Sequence, residues 1–202
     1  MGAQLAHRLV RYNDRFSGIS LWLVPPQKER NALRKVIDSI AEEHHSDAFD
    51  PHVTLTSLSP GTSTEGWTDA IAAQLRHHGP ILVAFDKLRT GNTFFHSVLA
   101  DIQWDQTLFA FKADVVTSIT QGRAPDPKLK PYWYPHVSLF YGSPPQTVKE
   151  AIVRTLKETG DEETCTVAGV KQFEANEVWI VQTDGHIKEW KVLDKVTVPA
   201  AA

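Results

Sequence analysis

Pro51-His52-Val53-Thr54-Leu55 and Pro135-His136-Val137-Ser138-Leu139 share one form, Pro-His-apolar-hydroxyl-Leu. Side chains on a β-strand alternate between its two faces, so each stretch places its histidine and hydroxyl together on one face and its valine and leucine on the other. A strand that buries Val and Leu while presenting an imidazole beside an alcohol presents chemistry. Two such strands predict two half-sites meeting in one cleft.

The flanking sequence supplies the frame. Residues 19–24 read as a buried strand, ended by Pro25-Pro26, which also favours a helix start. Leu33, Val36, Ile37 and Ile40 then recur at helical spacing as far as about His44. The first motif strand stops at Ser59-Pro60-Gly61, and Trp67, Ile71 and Leu75 mark a second helix closed by Gly79-Pro80. Residues 81–88 and 93–101 read as a hairpin about Arg89-Thr90-Gly91-Asn92. Asp105 is placed to cap a third helix carrying Leu108, Phe111 and Val115, and residues 122–131 form a charged, proline-bearing crossing. After the second motif, Ser143-Pro144-Pro145-Gln146 has the form of a capping box opening a fourth helix. Residues 165–170, 177–182 and 187–198 read as strands.

Strand, helix and motif strand thus occur in that order twice. The expected fold class is α+β: a bilobal domain with two antiparallel sheets flanking a central cleft, helices outside, and a pseudo-two-fold relation between halves. The expected organisation is an N-terminal extension over residues 1–17, a single bilobal domain over 18–198, and a tail over 199–202.

With 202 residues and a formal net charge of -3, the chain as a whole is no electrostatic binder of nucleic acid. Cys165 is its one cysteine, which excludes an internal disulfide and any multi-cysteine metal knuckle. No apolar run has the length of a membrane span. A cytoplasmic monomer, with no membrane or stable nucleic-acid partner, is the expectation.

Paired imidazoles suit hydrolysis of a cyclic phosphodiester. Water must lose a proton as it attacks phosphorus, and the leaving sugar oxygen must gain one on the opposite side. Groups with an ordinary pKa of about 6.5 can serve both ends near neutrality. Charge develops on the non-bridging oxygens, where Thr54 and Ser138 are placed to donate. Two histidines are too few for a zinc site, and neither hydroxyl has a nucleophile-elbow context. No metal or cofactor is therefore expected. His96, on a strand, and His186, in a turn, have nothing in the sequence that ties them to this site.

The duplicated His-x-hydroxyl signature resembles that of the 2H phosphoesterase superfamily. Residues 19–26 before a helix, and His136-Val137-Ser138-Leu139-Phe140-Tyr141-Gly142, are similar to the fungal and plant cyclic phosphodiesterases within it. The similarity covers about residues 18–198. It implies a bilobal, metal-independent enzyme that opens 2',3'-cyclic nucleotides to 2'-phosphates and converts ADP-ribose 1'',2''-cyclic phosphate, a by-product of tRNA splicing, to ADP-ribose 1''-phosphate. His52 and His136 carry over as acid and base, Thr54 and Ser138 as phosphate-binding groups, and Tyr141 as a site tyrosine. An odd offset of five from His136 puts Tyr141 on the wrong face unless the strand turns first. Trp133, Tyr132 and Trp22 are candidate platforms for a base. The rival readings are an RNA 3'-end processing enzyme of the same superfamily and a non-catalytic nucleotide-binding module.

Overall fold

The computed structural model describes residues 17–122, 133–158 and 165–198. The elements run β1 (Ile19–Val24), α1 (Gln27–Glu43), β2 (Val53–Leu58), α2 (Trp67–His78), β3 (Ile81–Thr93), β4 (His96–Ile102), α3 (Gln106–Thr120), β5 (His136–Phe140), α4 (Gln146–Glu158), β6 (Gln172–Ala175), β7 (Glu177–Gln182) and β8 (Lys191–Thr197). The fold is α+β. The expected N-terminal extension and tail lie almost wholly outside the described residues, as do most of the expected crossing and Tyr132.

The strands make one eight-stranded antiparallel sheet in the order β6-β3-β4-β5-β2-β1-β7-β8. The sequence predicts two sheets, and the difference comes from a single registered pair: Val53 of β2 with Val137 of β5. Each motif strand also pairs antiparallel with the strand that precedes it in its own unit, β2 with β1 and β5 with β4. The motifs therefore stand at the middle of the sheet, back to back.

Alternation decides which face is core. Ile19, Leu21, Leu23, Val53, Leu55, Val137 and Leu139 belong to one continuous hydrophobic core, with Leu33 of α1, Ile71 of α2, Phe111 of α3 and Ile152 of α4. The intervening positions of β1 and β7 form a smaller aromatic cluster, Trp22 and Trp179 with Val24 and Val181, against which Trp190 packs. A third cluster joins Ile37, Phe49, Tyr141 and Ile187.

Local signals explain most boundaries. Pro26 occupies the cap position of α1. Asp105 caps α3, its carboxylate accepting from the Leu108 amide at 2.8 Å, a contact of a kind that contributes about 1 kcal/mol. Gly79 ends α2 at a positive φ of 72°, donating to the Leu75 carbonyl. The hairpin runs further than expected: β3 continues to Thr93, so the turn falls on Phe94-Phe95. In place of the strand expected over residues 165–170 there is one isolated bridge, Val167 with Val170, and β6 follows it, unforeseen. Residues 187–189 form a 3-10 turn before β8.

Candidate active site

At the central joint, the antiparallel direction around the Val53–Val137 pair sets His52 toward Ser138 and Thr54 toward His136. The four motif side chains thus form a two-by-two array on the face away from the main core, histidine diagonal to histidine. His52 and Ser138 are buried at 5% and 4% exposure, and Thr54 and His136 are half-buried.

Both imidazoles are held in the same way. Nδ1 of His52 lies 2.6 Å from the Asp50 carbonyl oxygen, and Nδ1 of His136 lies 2.9 Å from that of Tyr134. A carbonyl only accepts, so Nδ1 carries the proton and Nε2 is left as the reacting nitrogen on each ring. The intervening residue is Pro51 or Pro135. Proline fixes its own φ and keeps the residue before it extended, which presets the carbonyl that each ring engages. The proline of each motif, unexplained by alternation, finds its reason here.

The two surroundings differ. His52 stacks on Trp22, centroids 3.7 Å apart and planes within 7°, and Phe49 meets it edge-on at 6.4 Å. Burial in this apolar wall pushes its pKa down to about 3, and the nearby His136 adds to the effect. His136 is also lowered by burial, and the adjacent Arg89 and Asp101 act on it in opposite directions. Burial thus favours the neutral form of both rings.

Tyr141 joins the array despite its offset. Strand β5 ends at Phe140, and the chain turns at once, with the Gly142 amide donating to the Phe94 carbonyl at 2.9 Å. A Cβ at Gly142 would stand 2.7 Å from the Phe140 ring, so only glycine permits this turn without displacing that ring. Tyr141 thereby stacks on Phe49 at 3.7 Å with its phenol facing the Ser138 hydroxyl, which donates to the Phe95 carbonyl at 3.4 Å. Burial raises its pKa, so the phenol keeps its proton.

Trp22 is at the site, as the wall behind His52. Trp133 is not: its indole N–H donates to the Thr54 carbonyl at 2.9 Å and its ring meets Phe109 edge-on at 5.0 Å, with Lys112 over it. It ties the approach to β5 onto β2. His96, unconnected by sequence, stands with its ring centroid 5.0 Å from that of His136. Sequence reading also missed Phe49, Phe95 and Trp190, which complete the aromatic wall with Tyr141. The Trp190 Nε1 is buried without a hydrogen-bond partner among the described residues. Another omission is the Arg89–Asp101 ion pair, at 2.7 Å. Asp101 ends an apolar run and is 1% exposed, and a buried carboxylate demands a cation. The hairpin brings Arg89 to it, a pairing legible once the register is known. Among the described residues no group of His, Cys, Asp and Glu is arranged to hold a metal ion, and no helix is long and apolar enough to cross a membrane.

Comparison with known proteins bears on the family and the fold. The chain is 25% identical to a 2',3'-cyclic-nucleotide 3'-phosphodiesterase of Neurospora crassa, over 88% of this chain and 98% of that one. It is also 25% identical to a protein of the same name from Kluyveromyces lactis, over 90% and 99%. Among solved structures the fold is similar to the apo form of E. coli LigT, with a TM-score of 0.51 at 10% identity, covering 90% of this chain and 96% of that one. A phosphoesterase crystal structure gives a TM-score of 0.52 at 10% identity, covering 91% and 99%. Residues 17–198 match the family described as cyclic phosphodiesterase-like protein, and the chain belongs to that family, within the 2H phosphoesterases.

Proposed function

We propose that this protein hydrolyses 2',3'-cyclic nucleotides to nucleoside 2'-phosphates, and ADP-ribose 1'',2''-cyclic phosphate to ADP-ribose 1''-phosphate, by paired-histidine acid–base catalysis. The observation that carries the reading is the pair of imidazoles, each with Nδ1 committed to a backbone carbonyl and Nε2 left to react. One Nε2 takes a proton from water as its oxygen bonds to phosphorus. The other, protonated, gives its proton to O3' as the P–O3' bond breaks, leaving the phosphate on O2'. The relatives' name, 3'-phosphodiesterase, accords with scission on that side.

Thr54 and Ser138 donate to the non-bridging oxygens, where negative charge builds. The Tyr141 phenol, facing the Ser138 hydroxyl, helps to orient it. The incoming anionic phosphodiester favours the protonated form of whichever ring serves as acid, offsetting the burial that favours the neutral one. The expected pseudo-two-fold relation is part of the proposal: each half gives one histidine and one hydroxyl.

The test is turnover of 2',3'-cyclic AMP with the product assigned by phosphorus NMR. His52→Gln and His136→Gln are each expected to lower kcat by ~10²–10⁴-fold, the usual loss for a missing general acid or base. Activity should persist in EDTA and follow a bell-shaped pH profile. Full turnover in both variants would sink the mechanism.

A further inference from the structure

We propose that Tyr134 and Arg89 form a nucleobase-stacking subsite on the His136 side of the cleft, an inference that rests on the cyclic-nucleotide reading above. A base needs an open planar surface at a fixed distance from the phosphate. The aromatic rings nearest the array are already covered: Trp22, Phe49 and Tyr141 are 4%, 4% and 5% exposed. Phe94 and Phe95 are half-buried. Tyr134 is 56% exposed. A large ring left in water beside a buried array invites a partner that arrives with the substrate.

Its position is fixed in two ways. The Tyr134 carbonyl accepts from Nδ1 of His136 at 2.9 Å, so the residue that presents the phenol also anchors the imidazole. Two residues of extended chain separate them by about 6.6 Å, on the order of one ribose between phosphate and base. The Arg89 guanidinium lies over the phenol, 5.0 Å from its centroid. Nε of Arg89 donates to both carboxylate oxygens of Asp101 at 2.7 Å. Asp101 is itself placed by strand pairing directly opposite His136. Asp101, set opposite His136 by sheet register, thus anchors the guanidinium that lies over the phenol.

The chemistry selects a base over a second phosphate. Asp101 neutralises Arg89, so the pair offers a flat π surface with little net charge for an anion. Stacking on phenol and guanidinium tolerates any base, because every base has a π face. The subsite should therefore accept both purines and pyrimidines, favouring the larger ring.

Calorimetric titration of the full chain with adenosine 2'-monophosphate, and separately with inorganic phosphate, tests this. Tyr134→Ala should weaken nucleotide binding on the order of tenfold. Phosphate affinity should hold within about twofold of wild type, a difference well below one stacking contact. Tyr134→Phe should restore the nucleotide affinity. Unchanged nucleotide affinity in Tyr134→Ala overturns the subsite, as does an equal loss for phosphate or a wild-type protein that binds no nucleotide. Turnover of a base-free five-membered cyclic phosphate separates the two claims. If wild type hydrolyses it while Tyr134→Ala binds nucleotide normally, the subsite fails and the hydrolase reading stands. If wild type hydrolyses neither cyclic phosphate, the hydrolase reading fails and the titrations still judge the subsite.

Discussion

His52 shows how one residue's surroundings translate into a property of the whole protein. Its ordinary pKa is about 6.5 in an unfolded chain, and burial against Trp22 lowers it to about 3 in the folded one. Above pH 6.5 the ring is neutral in both states and contributes nothing. As pH falls from there toward 3, the unfolded chain takes up a proton that the folded chain refuses, so stability is lost through that window. The loss amounts to a few kcal/mol, and His136, also lowered by burial, acts in the same direction. His52→Gln removes one titration. Urea unfolding at neutral pH and at about pH 4.5 should show a smaller drop for the variant than for wild type, and equal drops would contradict the assignment. Alternation alone put each histidine on the same face as its own hydroxyl, since parity is a property of the strand. It could not reveal His96 or the Arg89–Asp101 pair, because these reach His136 through the register of a neighbouring hairpin.

Elements decide the cases that parity leaves open. Tyr141 is five residues after His136 and would face the core if β5 continued. It reaches Ser138 because the strand stops at Phe140 and Gly142 lets the chain pass that ring. Gly142→Ala should crowd Phe140 and destabilise the protein by roughly 1–3 kcal/mol, as overpacking generally does. It should also lower turnover beyond the loss of folded protein, since the place of Tyr141 beside Ser138 depends on the turn. Thermal melting beside the kinetic assay checks both, and an unaltered Tm and rate would refute the role given to the glycine. Capping residues, prolines and helical periodicity were legible because they act within a few positions. Strand β6 was not: its four residues Gln172–Ala175 have alternating burial, but their place beside β3 at the sheet edge is decided by long-range pairing.

At the scale of the molecule, duplication was legible and its joint was not. The two Pro-His motifs announced two units, yet whether those units hold separate sheets turned on whether Val53 and Val137 meet. Because they do, one core runs beneath both units and draws residues from all eight strands. Unfolding should therefore be a single cooperative transition, with tryptophan fluorescence and far-ultraviolet circular dichroism coinciding. Two resolved transitions would show that the halves fold independently.

The carbonyl contacts behind the two imidazoles have a consequence for the working cycle. After each turnover the base holds an extra proton and the acid lacks one, so the pair must be reset before the next substrate reacts. Behind each ring lies a peptide carbonyl, which has no proton to relay. The protein thus provides no wire through its interior from either Nδ1. Recharging has to take place on the cleft side, through water or through the departing phosphate. The same opening that admits the nucleotide is the route by which the catalyst recovers its starting state.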